Sequence, residues 1–384
     1  MANTLTNLFP DLYSALNVVS REAIGFMPSV GRNSGAERAA VGENVRVPIA
    51  NSRTAGDVTP SMTIPDPEDT TATNENITIT KSRQVSFGLL GEEQKGLSNG
   101  SYTGGVDGTL SLQAQLMAEG MRTLFNEMEA DLATLYVDAS RATGTAGTTP
   151  FASGVGDTAQ ARKILIDNGG PQDMQMTFDS AAGALLRTNT QLTKANEAAT
   201  PLTLRQGELL DINGFSLRES GQVNSHTKGT GTAYTSDTAG YAVGATSITL
   251  ITGSGTIIAG DVATFAGDTN KYIVKTGIAA PGTIVLAAPG LRVAIPASAV
   301  ALTVGADFVA NMFYRRGAIQ LVTRAPEIPQ EGDSAVESEL ITDPFTGMTI
   351  EARTYIAYRK VRHELAMAWG FKTIKPEHVG ILLG

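Results

Sequence analysis

Residues 109–141, TLSLQAQLMAEGMRTLFNEMEADLATLYVDASR, constrain the fold more than any other stretch. Leu110, Ala114, Met117, Met121, Leu124, Met128, Leu132 and Leu135 recur at i, i+3, i+4, i+7 spacing, which places them on one helical face. A helix of this length spans roughly 50 Å, far beyond the average globular helix. A continuous methionine and leucine stripe is core rather than a cofactor face. The segment therefore reads as a spine on which a sheet packs, with Gly120 as its weak point.

The surroundings of that spine are β-rich. Asn44–Ala50, NVRVPIA, and Asn76–Leu90, NITITKSRQVSFGLL, read as extended, with Ile77, Ile79, Val85, Phe87 and Leu89 mostly alternating. Between them lie 25 residues, 51–75, with Pro60, Pro65 and Pro67 and no helical period. Arg53 against Asp57, Asp66, Glu68, Asp69 and Glu75 leaves this connection net −4. It holds too little apolar surface to pack on its own body, so it is expected to project. Upstream, Leu12, Leu16, Val19 and Ala23 predict an amphipathic helix over 10–26, opened by Pro10 and suited to dock on a neighbour.

After the spine, DTAQARKILIDNGG (157–170) predicts a short helix capped by Asp157 and stopped by Gly169. MQMTF (174–178) predicts a strand feeding a second helix capped by Asp179. Residues 224–308 differ in composition. They contain no glutamate and only eight charged residues, and six short runs stand out: TSITLIT, DVATFA, KYIVKT, TIVLAA, LRVAI and AVALTV. Each is bounded by Gly, Pro, Asn or Asp, the pattern of a small barrel or sandwich, and the stretch 224–240 before them is linker-like. The module is therefore expected to be an inserted domain. AIQLVTRA, the alternating Ile350, Ala352, Thr354, Ile356 and Tyr358, and the apolar AMAWGF then return the chain to an α+β body.

Composition narrows the chemistry. The chain has no cysteine, which removes disulfides and thiolate ligands, and a net charge of −9 argues against general nucleic-acid binding. It does not argue against enclosing nucleic acid, since a container benefits from walls that hold weakly. No run of 18 apolar residues offers a membrane span, and no secretory signal is visible at the start. His363 and Glu364 open HELAM, which lacks the second histidine of a zinc-binding HExxH helix. His226, His363 and His378 are isolated in sequence and read as surface or hydrogen-bonded structural groups. TGIAAPGT (276–283) lacks the lysine of a phosphate loop, GSG (253–255) reads as a turn, and no GxSxG occurs. A pair of carboxylates for glycoside hydrolysis stays open, though one tryptophan is little for a sugar cleft. No catalytic, cofactor-binding or metal-binding residue is assigned, and no cofactor is expected.

The order of parts resembles the major capsid proteins of tailed double-stranded DNA bacteriophages, in particular the short-tailed type with an inserted β-barrel. LRQGELLDINGFSLRESGQV (204–223), RRGAIQLVTRAPEIP (315–329) and AMAWGFKTIKPEHVGILLG (366–384) carry the resemblance, which covers nearly the whole chain. Each is a packing signature; their order is what is similar to the family.

The resemblance implies an N-terminal arm (1–43), an extended hairpin loop (44–95), a spine helix with the first part of the body (96–223), the inserted barrel (224–308) and the second part of the body (309–384). It implies a non-enzymatic subunit forming pentamers and hexamers of a virion shell around DNA, without a membrane, assembled in the host bacterial cytoplasm. The partners implied are other copies, a portal protein at one vertex and a separate scaffolding protein, because the long N-terminal scaffolding helix of some relatives is missing. Asp11, Glu22, Asp57, Asp66, Glu68 and Asp69 are the candidate assembly contacts. An encapsulin-like compartment shell is the related alternative, and a carboxylate-dependent hydrolase is the alternative of a different class.

Overall fold

The computed structural model describes residues 24–49, 57–63, 73–92, 112–170, 172–193, 209, 211–342 and 347–384. The expected helix over 10–26 lies outside these except for residues 24–26, which are not helical.

The sequence stripe becomes helix α1, Leu112–Ala133, about 33 Å long. Met117, Met121, Leu124, Met128 and Leu132 are buried along one face, and Leu110 lies outside the described residues. The expected end at residue 141 is too late. Thr134–Asp138 tightens into a 3-10 turn, Ala139 is extended, and Arg141–Gly144 forms strand β5. The backbone leaves the helix because β5 has a parallel partner, with Arg141 opposite Gly380.

Helix α1 lies across a six-stranded sheet. Its strands include β1 (Gly31–Ala39), β4 (Lys81–Leu90), β16 (Ile319–Pro326), β17 (Glu337–Thr342), β18 (Thr349–Ala357) and the 14-residue β19 (Lys360–Thr373). β19 is the centre, paired with β4 on one side and with β16 and β18 on the other. Strand β1 falls within the stretch 1–43 that was read as arm. It pairs in parallel with β16, Arg32 opposite Leu321, so this part of the stretch belongs to the body sheet.

The expected strand over 76–90 is two strands. β2 (Asn44–Ile49) and β3 (Thr73–Thr78) form an antiparallel hairpin, and β4 follows. The break falls where the chain changes partners: Ile79 N donates to Glu43 O, and Thr80 N donates to Trp369 O. Ile77 and Ile79 are buried against Ala39, Val322 and Ala368, which seats the root of the hairpin on the body.

The second half of the body is a sheet with β5 inside it. Its other strands are β6 (Met174–Phe178), β7 (Phe215–Glu219), β15 (Phe308–Arg315) and β20 (Val379–Leu383), in the order β7-β6-β15-β20-β5. Helices α2 (Gly156–Asp167) and α3 (Ser180–Thr188) accompany it. Asp179 caps α3, accepting from Ala182 N at 3.1 Å. Asp157 sits in the first turn of α2 instead of at its cap and accepts from Phe151 N at 2.8 Å. Gly169, at φ +80°, ends α2 as its sequence position predicts, with its N–H on Ile166 O and Gly170 N–H on Leu165 O.

The same sheet continues from β5 into β12 (Lys271–Thr276), β11 (Val262–Phe265), β14 (Ala301–Val304) and β9 (Tyr234–Thr235). β12 also pairs with β13 (Gly282–Leu286), and β13 pairs with β10 (Ser247–Leu250). Ile251 N donates to Thr235 O and Asp237 N to Thr249 O, so β10 meets β9 and the six short strands form a circuit. They enclose a separate core that includes Tyr234, Phe265, Tyr272, Ile284 and Leu302. Two expectations are corrected here. LRVAI is not a strand: Leu291 and Ile295 are buried and bond back to Gly244 and Tyr241, closing one side of the core. Residues 224–240 are not a plain linker, since β8 (Ser225–His226) and β9 lie within them.

Candidate assembly surface

The described surface carries exposed apolar groups, with buried anchors behind them. Beyond the β2–β3 hairpin, the described residues 57–63 are exposed throughout. Val58 is 97% exposed and Met62 105%, although both side chains are apolar. At the hairpin root Lys372 Nζ lies 2.6 Å from Glu75 Oε2. A second exposed group lies at the turn between β18 and β19, where Tyr358 is 89% exposed. Arg359, at φ +56°, stacks on it at 5.7 Å. Sequence periodicity did not single out this turn, because it sits inside an alternating run that reads as one strand.

Of the six sequence-predicted contacts, Asp57 is described and exposed, with no hydrogen bond or ion pair among the described residues. Asp11, Glu22, Asp66, Glu68 and Asp69 lie outside the described residues. No two of the six are shown together.

Where the chain enters the body from the N-terminal side, a buried carboxylate holds it. Glu129, on α1, is 1% exposed; Oε1 accepts from Gly25 N at 2.5 Å and Phe26 N at 2.6 Å, and Oε2 from Met27 N at 2.9 Å. Burial raises this carboxyl above its ordinary range, against the lowering effect of the three amides and Ser220. Ser29 Oγ completes the turn, donating to the carbonyls of Gly25 and Phe26 and lying 2.5 Å from the Tyr314 hydroxyl. Complete burial pushes that phenol well above its usual range. Sequence reasoning missed Glu129 because it falls beside Met128 in a helix rich in acids, with nothing local to mark it as buried.

Two ion networks stiffen the sheet. Lys81 bridges Glu127 at 3.0 Å and Asp131 at 2.8 Å, Arg83 reaches Glu127 at 3.0 Å, and Trp369 Nε1–H donates to Asp131 Oδ2 at 2.9 Å. These tie α1 to β4 and β19. On the sheet's other face, buried Glu351 binds Arg38 at 2.5 Å and Arg353 at 2.8 Å. Burial alone would raise Glu351, but the two guanidiniums overcome it and hold the carboxyl below its usual value. Arg353 and the Tyr355 hydroxyl both reach Asp333, which is held low first by that hydroxyl.

Among the described residues no three His, Asp or Glu side chains are grouped to hold a metal ion. No described helix is long and apolar enough to cross a membrane. The three histidines are all buried and bonded: His226 to Asp261 and Tyr136, His363 to Thr354, and His378 to the Asn168 carbonyl. Burial lowers the His363 value. Two open hollows among the described residues measure about 380 and 500 Å³. One is lined by Phe151, Ser153, Leu185 and Asn189, and another by Lys228, Tyr234 and Leu302. Neither brings a carboxylate pair to its wall.

No protein family matches the chain by its sequence pattern, and no curated protein matches it. The solved structures it is similar to include the capsids of several phages. The capsid of the cyanophage P-SCSP1u has a TM-score of 0.49 at 12% identity, over 94% of this chain and 88% of that one. Mycobacterium phage Che8 gives 0.46 at 13% identity, over 89% and 84%. A virus-like particle from Pyrococcus furiosus gives 0.42 at 9% identity, over 97% and 98%.

Proposed function

We propose that the chain is the shell-building subunit of a tailed-phage capsid, assembling as pentamers and hexamers around double-stranded DNA. In this reading α1 is the spine, the β2–β3 hairpin is the arm laid over a neighbour, and the strand circuit between His226 and Phe308 is an inserted barrel. The observation that carries it is the hairpin itself. Its root is seated by buried Ile77 and Ile79, while Val58 and Met62 beyond the root are uncovered. A lone subunit gains nothing from such side chains. A ring of copies gains by covering them, and weak contacts repeated around a closed shell sum to a stable one.

Copies of the chain are the first partner, and a separate scaffolding protein, a portal at one vertex and loosely held DNA are the others. Assembly belongs to the host bacterial cytoplasm. Electron microscopy and sedimentation of the purified chain, with and without co-expressed scaffold, test the reading. Closed particles, sheets or tubes are expected, and a stable monomer under all conditions would overturn it. The contents of the particles separate a genome container from a compartment filled with enzyme cargo.

A further inference from the structure

The hairpin and the β18–β19 turn belong to opposite ends of strand β19. Thr80 N donates to Trp369 O, Thr78 O lies against Gly370, and Glu75 pairs with Lys372. From Thr78 back to Glu75, β3 therefore tracks β19 toward its C-terminal end. The turn that joins Ala357 to Lys360 is at the other end, about 30 Å of strand from Trp369. The hairpin leads away from the turn of its own chain.

That turn is an apolar corner with cations on it. Ile356, Tyr358 and Leu90 are 56%, 89% and 48% exposed, and Leu90 lies opposite Lys360 in the β4–β19 pairing. An open hollow of about 500 Å³ beside them is lined by Leu90, Gly91, Glu92 and Arg359. Arg359, Lys360 and Arg362 are all exposed. Glu364 pairs with Arg362 at 2.8 Å, and Glu92 lines the hollow, so three cations against two acids leave the corner net +1 on a chain of net −9. Arg359 keeps a φ of +56° and stacks on Tyr358, which holds an aromatic ring and a guanidinium together in solvent. Rings and guanidiniums of this kind anchor protein interfaces. Segment 57–63 is the complement: Asp57 opens it, Val58 and Met62 are almost wholly exposed, and the connection 51–75 that contains it is net −4.

We propose that segment 57–63 of one copy seats on the β18–β19 turn of the next, with Val58 and Met62 covering Tyr358, Ile356 and Leu90 and Asp57 meeting Arg359. The inference rests on the reading of the chain as a self-assembling subunit and names the surface that receives the hairpin. Donor and receiver are different patches, so the contact runs head to tail, and such a contact closes into a ring when its rotation allows. The acids of the connection select this corner, because a chain of net −9 repels itself at most other approaches.

The chain has no cysteine, so engineered thiols report the contact alone. Ser61 and Ala357 are exposed neighbours of the groups that meet, and replacing them leaves those groups intact. Full-length Ser61→Cys and Ala357→Cys proteins are assembled together, oxidised and run on a non-reducing gel. A disulfide between the two variants is expected, with little between like variants. Arg359→Glu should lower particle yield at least about tenfold, and adding Asp57→Lys to the same chain should restore most of it. If Arg359→Glu fails to fold, the cross-link carries the test. Particles without the 61–357 disulfide, or with only 61–61 or 357–357 disulfides, overturn the contact and leave the shell reading standing. The disulfide formed in concentrated protein that never yields particles supports the contact and counts against the shell. Neither particles nor disulfide overturns both, and capture of residue 357 by a different protein gives the turn to another partner and overturns the proposal.

Discussion

The Glu129 carboxylate lies 2.6 Å from the amide nitrogen of Phe26, a residue 103 positions earlier in the chain. This contact and those to Gly25 and Met27 make one side chain the acceptor for three consecutive amides at the start of the described body. Glu129→Ala leaves all three without that acceptor in a buried site and should cost about 3 kcal/mol or more. Glu119→Ala, on the exposed face of the same helix, should change stability by less than about 0.5 kcal/mol. Denaturant titration of the two variants checks the contrast.

Glu129 and Glu351 should oppose each other in the pH dependence of stability. Glu129 is raised in the fold, so its contribution is full below the unfolded value, about 4.3, and is lost as pH rises through the folded value. Glu351 is lowered, so its contribution is present above the unfolded value and is lost as pH falls through the folded one. Acid titration of stability in Glu351→Gln should show a shallower fall below about pH 4.3 than the parent. An unchanged acid limb would remove Glu351 from the account.

The phase of helix α1 is testable. Met121 and Leu124 are buried, whereas Glu127 faces Lys81 and Arg83. Met121→Asp or Leu124→Asp places a carboxylate in apolar surroundings and should cost about 4 kcal/mol or prevent folding. Glu127→Asp shortens the side chain by one methylene, weakens two partly exposed ion pairs and should cost under about 1 kcal/mol. Equal melting of all three variants would show that the helix is rotated from the described phase.

Gly120 reads in sequence as the weak point of the helix, and in the fold it is the point of contact. A Cβ there would lie 3.3 Å from both Val85 and Leu365. Gly120→Ala gains about 1 kcal/mol of helix propensity and loses much of it to crowding, leaving stability nearly unchanged. Gly120→Val should cost about 2 kcal/mol, as thermal unfolding would show.

Val58→Asp combined with Met62→Asp should leave the unfolding of the free subunit unaltered, because both side chains are almost wholly exposed. The same pair should reduce closed particles at least tenfold if a neighbour covers those side chains, counted by sedimentation. Normal particle yield would place the assembly contact elsewhere.

The fragment 224–308 has its own core and closed strand circuit, so it should fold alone, though weakly. Val262 and Ile273 pack in the body's core, and β12 pairs with β5 through Lys271 opposite Ala142 and Tyr272 opposite Arg141. The whole chain with this module replaced by a short linker should therefore expose the β5 edge and associate non-specifically. A monodisperse, fully stable body after the deletion would show that the β5–β12 pairing is dispensable.

The features legible in the sequence are those written within a few residues. The apolar stripe from Met117 to Leu132, the Asp179 cap and the Gly169 stop depend on helical spacing and local amide bonding, which neighbours along the chain supply. The low charge and turn spacing of residues 224–308 are likewise local features. The exit from α1 at Ala133, the parallel seating of β1 on β16, the split of β3 from β4 and the collapse of LRVAI into a buried plug could be decided only by partners remote in sequence. The same holds for the histidines. His226 is isolated in the chain, yet the fold brings Tyr136 and Asp261 to its two nitrogens from 90 and 35 residues away. Local order follows from bonding between near neighbours; pairing, burial of charge and proton placement depend on what the closed core brings alongside.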